Sequence, residues 1–222
     1  MGSLMEDIDA VERFKDGSLR RRIAEIEHML KDAGAADCAA LCSAKDISPA
    51  LLSSGMAVKR AAAQIDVILH AVGILVTLPH IMREDEIIES LSLGAGNTGR
   101  EFDMETNLRV AEFKFINWKG GPEAIRQNSL FKDFYLLAEA DTQKERHLYV
   151  IDSSRPLRFL NGRRAIRSVL SHENKLWREF EQRYGDRFSV VCEYYQDRRG
   201  LVRVEDLSKL LPDLWARPGE SY

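Results

Sequence analysis

The chain has 222 residues, 45% hydrophobic and 30% charged, with a formal net charge of −3 at pH 7. This length allows one sizeable core, or a core with a helical extension, and the charge balance excludes a generally basic coat for nucleic acid, so any polyanion must meet a local patch. Cys38, Cys42 and Cys192 form neither a disulfide framework nor a paired zinc spacing, which points to a reduced, cytoplasmic protein with Cys38 and Cys42 as a buried pair on one helix face.

From the N-terminus, Ile8, Val11, Phe14, Leu19, Ile23, Ile26 and Leu30 recur at helical spacing over residues 4–34, with a break at Asp16-Gly17-Ser18 and Ser18 as an N-cap. Arg20-Arg21-Arg22 reads as a solvated face of that helix. Gly34 stops it, and short helices are expected around 36–43 and 48–53. Ala57 to Thr77 reads as one long helix ended by Pro79, apolar around most of its circumference and therefore packed on several sides. Its most apolar run, Ile65 to Leu78, contains Asp66 and His70 and is too short to span a bilayer, so a buried helix and no membrane partner are expected. No secretory leader pattern opens the chain, and His70 and His80 lack ligand spacing and read as structural. Residues 1–82 thus read as a helical extension packed on an α/β core of residues 83–222.

The core begins with Glu84 to Leu91, read as a short acidic helix, and a glycine cluster from Gly94 to Gly99 that lacks the lysine and the strand-to-helix context of a phosphate loop. Gly99 to Phe115 then alternates with period two on both sides of Thr106-Asn107 and reads as a tight β-hairpin. Phe102 and Met104 point one way and Glu101, Asp103 and Glu105 the other. On the second strand Ala111, Phe113 and Phe115 oppose Val110, Glu112 and Lys114. A two-residue turn would set Glu105 opposite Leu108 and Asp103 opposite Val110, leaving Asp103 diagonal to Glu112. Two carboxylates and a lysine then gather over an apolar layer, as a divalent-metal phosphodiesterase requires: hard oxygen ligands for Mg²⁺ and a cation for the charge developing on phosphate. The competing reading is a wet strand face, on which such charges carry little energy. Glu89 is a candidate third acid for the metal, with Glu86 its rival.

Beyond the hairpin, Trp118 to Pro122 forms a turn and a helix runs from Pro122 to about Ala140, with Arg126, Gln127 and Lys132 polar in its first half. His147 to Ile151 is a short strand, so helix and strand form a crossover in a mixed sheet. Arg155, Arg158, Arg163, Arg164 and Arg167 lie in a stretch without acids, either a solvated face or a set of phosphate contacts. A helix over Asn174 to Tyr184, a last strand over Phe188 to Tyr195 and a closing helix over Val204 to Leu214 complete the chain. The fold class expected is α/β, a mixed central β-sheet flanked by helices.

The hairpin with Asp103 and Glu112-Phe113-Lys114, followed by helix and strand, resembles the PD-(D/E)XK (restriction-endonuclease-like) nuclease superfamily over residues 84–152. The resemblance implies a core of a helix, three strands, a helix and a further strand. It implies Asp103 and Glu112 as Mg²⁺ ligands, the Phe113 carbonyl as a backbone ligand, Lys114 as the catalytic lysine and Glu89 as a helix glutamate added to the metal site. Gln127 resembles the glutamine that RecB-type members place near the active site. The activity implied is metal-dependent hydrolysis of phosphodiester bonds, in DNA before RNA, with Mn²⁺ able to replace Mg²⁺. Arg126, Lys132, Arg155, Arg158, Arg163, Arg164 and Arg167 would contact the backbone, giving affinity without base specificity. The alternative is a catalytically inactive module of this fold that serves nucleic-acid binding or assembly, with a homodimer through the N-terminal helices as the candidate assembly.

Overall fold

Ser3, Ser18 and Ser48 open three of the N-terminal helices by accepting the backbone N–H of Glu6, Arg21 and Leu51. The computed structural model describes residues 3–94, 101–115, 118, 123–171 and 173–211. Inter-residue contacts divide the chain into two units, Met1–Asp66 and Val67–Tyr222. The first contains α1 (Leu4–Lys15), α2 (Leu19–Met29), α3 (Ala35–Ala44) and α4 (Pro49–Ala62), none of which has a buried residue. The expected break at Asp16 to Ser18 and the Ser18 cap are present, whereas Cys38 and Cys42 are half-buried on α3. Val11, Phe14, Leu51 and Met56 line an open apolar groove within this unit.

In the second unit a five-stranded sheet has the order β1-β2-β3-β4-β5. Its strands are β1 (Ile88–Leu91), β2 (Met104–Thr106), β3 (Arg109–Lys114), β4 (Glu145–Val150) and β5 (Val202–Asp206). β1, β2 and β3 pair antiparallel, and β3, β4 and β5 pair parallel. α5 (Ile65–Ile81) precedes β1, and α6 (Glu123–Glu139) forms the crossover between β3 and β4. α7 (Ser154–Leu160), α8 (Ile166–Leu170), α9 (Asn174–Tyr184) and α10 (Val191–Arg198) lead to β5, and α11 (Leu207–Leu210) follows it. The architecture is mixed α/β, a mixed sheet flanked by helices.

The period-two alternation of β3 sorts the core into two layers. Val110, with Leu148, Val150 and Val202, packs against Leu130, Phe131, Phe134 and Leu137 of α6. Ala111 and Phe113, with Met104 and Tyr149, pack against Ile74 of α5 and Leu207. Gly73 sets how closely α5 approaches, because a Cβ there would lie 2.6 Å from the Phe115 ring.

Four expected elements differ. The helix expected over 57–77 is two helices: α4 ends at Ala62, and α5 runs from Ile65 through Pro79 to Ile81. It packs on one side only, since Ile74 and Thr77 are fully buried while Ile68, Leu69 and Val72 are 51% exposed; its apolar circumference is wider than the sheet face it meets. By length and composition Pro49–Ile81 is long and apolar enough to cross a membrane, although one face of α5 lies on the sheet. Glu84 to Leu91 is a turn leading into β1 and not a helix. The Asn107 side chain accepts the N–H of Ile87 at 2.8 Å and donates to the Asp85 carbonyl at 3.2 Å, and Ile88 and Leu91 pair with β2. The strand expected over 188–195 is mostly α10, because the Glu193 carboxylate accepts the N–H groups of Ser189 and Val190 and caps a helix. The last strand is β5, in a segment read as loop and closing helix. The expected glycine loop beyond Gly94, the turn over 119–122 and the residues from 212 onward lie outside the described residues.

A buried ion pair ties the hairpin turn to β1. Glu86 Oε1 and Oε2 accept from Nε and Nη2 of Arg109, both at 2.6 Å, Thr106 Oγ1 donates to Oε1 at 2.7 Å, and Arg109 Nη1 donates to Tyr149 at 2.8 Å. Glu86 is therefore committed to Arg109 and is no rival for a metal. Burial works against its charge, but the guanidinium outweighs it and holds its carboxyl below the ordinary range. Arg109→Leu leaves Glu86 buried without a partner and is expected to cost about 3–5 kcal/mol in urea unfolding, much of it recovered by adding Glu86→Leu.

Candidate active site

The hairpin register brings the two central acids level. Met104 pairs with Ala111 and Glu105 with Val110, so Asp103, one residue before β2, stands across from Glu112 instead of from Val110. The turn still holds two residues but lies one position later, at Asn107-Leu108 instead of Thr106-Asn107, where the Thr106 hydroxyl accepts the N–H groups of Leu108 (3.1 Å) and Arg109 (2.9 Å). The register moves by an even step, so Met104, Ala111, Glu112 and Lys114 keep their expected faces, whereas Phe102, which precedes β2, packs in the layer of Val110 and not with Met104 as expected.

Both Asp103 oxygens are held. Oδ2 accepts the backbone N–H of Phe113 at 3.0 Å, and Oδ1 lies 3.3 Å from Nε2 of His70 on α5. The buried Glu112 carboxyl meets that of Asp103. Two residues on, Lys114 forms an ion pair with Asp133 of α6, and the two side chains are 18% and 9% exposed. The Lys114 carbonyl accepts from Ile151 on the β4 side, so strand alternation turns the Phe113 carbonyl toward the β2 side, where its N–H meets Asp103.

These groups do not balance. Lys114 pairs with Asp133 and lies in the field of Glu112 and Asp103, while the His70 ring contacts Asp103. Burial, reinforced by the charges of Asp133 and Asp103, pushes the Glu112 carboxyl up to about 10, so Glu112 is neutral and donates its proton toward Asp103. Burial also pushes Asp103 upward, but the His70 contact and the Phe113 N–H outweigh it and keep its carboxyl below the ordinary range. Burial works against the Lys114 charge and is overcome by Asp133, so the ammonium is held above its ordinary value. Burial raises Asp133.

Among the described residues no group of three or more His, Cys, Asp or Glu side chains is arranged to hold a metal ion. The donor chemistry nevertheless fits a hard divalent cation, because Mg²⁺ keeps several waters and takes one or two carboxylates from the protein. Asp103, Glu112 and the Phe113 carbonyl would be the protein's share. Glu89 is not with them: it is exposed on β1, and Lys144 bridges it (2.6 Å) to Glu105 (2.8 Å). Gln127 lies on α6, where it accepts from Arg164 at 2.7 Å and donates to Glu123 at 3.2 Å.

The expected phosphate contacts divide into ties and exposed charges. Arg155 donates to the Trp118 carbonyl at 2.7 Å, Arg164 to Gln127, and Lys132 to Glu173 at 2.8 Å. Arg167 lies 5.9 Å over the Trp177 ring. Arg158 and Arg163 are exposed, and Arg126 is half-buried on α6. α7 and α8 follow the carboxyl end of β4, beside the end of β3 that carries Lys114.

Two members of the cluster escaped the sequence reading, His70 and Asp133. For Asp133 the available signal is one acid among Leu130, Phe134 and Leu137 on an apolar helix face, a placement that costs free energy without a partner. Comparison of the chain with protein-family models, with curated proteins and with solved structures gives no match.

Glu112 is protonated in the folded protein and ionised in the unfolded chain between its ordinary value near 4.5 and about 10. Rising pH over that window therefore destabilises the metal-free fold, by at most about 1.4 kcal/mol per pH unit. The expected outcome in thermal melts with EDTA is a Tm that falls from pH 6 to 9 in the wild type and a flatter profile in Glu112→Gln.

Proposed function

We propose that this chain is a metal-dependent nuclease of the PD-(D/E)XK (restriction-endonuclease-like) kind, hydrolysing phosphodiester bonds in DNA before RNA with Mg²⁺ or Mn²⁺. The observation that carries the reading is the gathering of half-buried Asp103 with buried Glu112 and Asp133 near one ammonium, with Glu112 left neutral. A divalent cation would supply the missing positive charge. The succession α5, β1, β2, β3, α6, β4 also accords with the helix, three strands, helix and strand of that superfamily, with α5 taking the place of the helix expected over Glu84 to Leu91 and the acids and the lysine on the central hairpin.

When bound, the cation would supply Lewis acidity and an activated water. Asp103 and Glu112 would hold it, Glu112 after giving up its proton. The Phe113 N–H and His70 fix the Asp103 carboxylate, which lowers the cost of orienting it. Lys114 is rigidly placed and charged, and would meet the phosphate oxygen on which negative charge develops as water attacks phosphorus. The P–O bond to one sugar oxygen then breaks, and that oxygen takes a proton. Arg158 and Arg163, with Arg167 nearby in sequence and Arg126 on α6, would place the backbone without reading bases.

A second reading, an inactive module that serves assembly, has one observation in its favour: the exposed apolar stripe of Ile68, Leu69, Val72 and Leu75 on α5. On that reading the chain forms a homodimer through its N-terminal helical region. Sedimentation would then give a dimer that Leu69→Glu with Val72→Glu converts to monomer.

The nuclease reading is tested by incubating supercoiled, linear and single-stranded DNA, and RNA, with the protein and Mg²⁺ or Mn²⁺. Cleavage abolished by EDTA and lowered about 10²–10⁴-fold by Lys114→Ala is expected. No cleavage of any substrate, with no calorimetric binding of either cation, would remove this reading and leave the assembly module.

A further inference from the structure

The Lys114 ammonium has two destinations. Glu112 lies two residues away on the same face of β3, so its carboxyl is within reach of a lysine stem. Asp133 lies on the opposing helix, and the ammonium pairs with Asp133. The phase of α6 is set by Leu130, Phe134 and Leu137, all 0–1% exposed, and Asp133 follows Leu130 by three residues and precedes Leu137 by four, on the same side. A buried acid here is therefore held by the core of the helix and cannot swing to water.

We propose that Asp133 is a positioning residue that draws the Lys114 ammonium away from Asp103 and Glu112, so that the acid pair stays available to a divalent cation. Without Asp133, the nearest carboxyl for a buried ammonium is Glu112. The ammonium would then neutralise a ligand and occupy space needed by the cation, acting as an internal competitor. With Asp133, the lysine stays beside the metal position, charged and directed toward the phosphate. The inference rests on the reading of this cluster as a divalent-cation centre, and the experiment below separates failure of one from failure of the other.

Mn²⁺ binding is measured by calorimetry on the full chain for wild type, Asp133→Asn, Lys114→Met and the double variant. Asp133→Asn is expected to weaken Mn²⁺ binding about tenfold or more, and the double variant to bind as Lys114→Met does, because the competitor is gone. If Asp133→Asn binds like the wild type, Asp133 does not hold the lysine off the acids and the proposal is overturned. If the loss persists in the double variant, Asp133 acts on the cation directly and the proposal is likewise overturned. Should Asp133→Asn fail to fold, the double variant, which leaves no buried charge unpaired, is compared with Lys114→Met, and unequal affinities overturn the proposal. A wild type that binds neither Mn²⁺ nor Mg²⁺ removes the cation centre itself, whatever the variants do.

Discussion

The structure depends on β3 being hydrogen-bonded on both edges and packed on both faces while carrying three charged side chains. A strand in that position has to resolve each charge locally, because water is not available to do so. At its amino end the resolution is complete. Arg109 meets Glu86 through two bonds, and Thr106 and Tyr149 take up the remaining polar atoms. At its carboxyl end it is incomplete. Lys114 pairs with Asp133, His70 and the Phe113 N–H hold Asp103, and Glu112 between them has no cation of its own and keeps its proton. The two ends of a six-residue strand thus separate a structural ion pair from a candidate site by charge count alone.

Topology decides which end is available for chemistry. β3 is antiparallel to β2 and parallel to β4, so the chain leaves β3 at Lys114 and must cross over through α6 before returning in β4. That crossover brings Asp133 over the strand and the basic stretch of α7 and α8 to the carboxyl ends of β3 and β4. The amino ends are closed instead by the turn, by Asn107, and by Glu145, which pairs with Arg83 and Arg203. Arg83 above all, with His147 and Arg203, holds the Glu145 carboxyl down to about 2.

The sequence was legible where information is local. Alternation assigned the faces of the hairpin correctly for Met104, Asp103, Ala111, Glu112 and Lys114, because side-chain parity survives an even change of register, but not for Phe102, which lies before β2 and packs with Val110. Ser18 and the Asn174 to Tyr184 helix were legible from a cap and an apolar period. It misled where a distant or side-chain partner decides. Glu84 to Leu91 has the composition of a helix, but β2 and the Asn107 amide make it a turn and a strand. Phe188 to Tyr195 has the composition of a strand, but one carboxylate, that of Glu193, caps it into a helix. His70 and Asp133 reach the site across 33 and 30 residues of chain from Asp103, counted along the sequence, and neither has a local pattern that points to the hairpin.

The arginines carry the same lesson into function. As a run without acids, Arg155 to Arg167 reads as one basic patch, but the fold gives its members different work. Arg155 and Arg164 donate to the Trp118 carbonyl and to Gln127, so part of the basic stretch anchors the segment after β3 and the first turns of α6. Charge used in this way is not free to displace counterions from a nucleic acid, and each tie lowers the number of phosphates the patch can neutralise. Arg158 and Arg163 are exposed, on α7 and on the segment between α7 and α8 that follow β4. A chain with a net charge of −3 and so few exposed arginines beside its acids would hold a polyanion weakly by itself. For the proposed nuclease, most of the attraction at the scissile phosphate would therefore come from the cation proposed to sit beside Asp103 and Glu112.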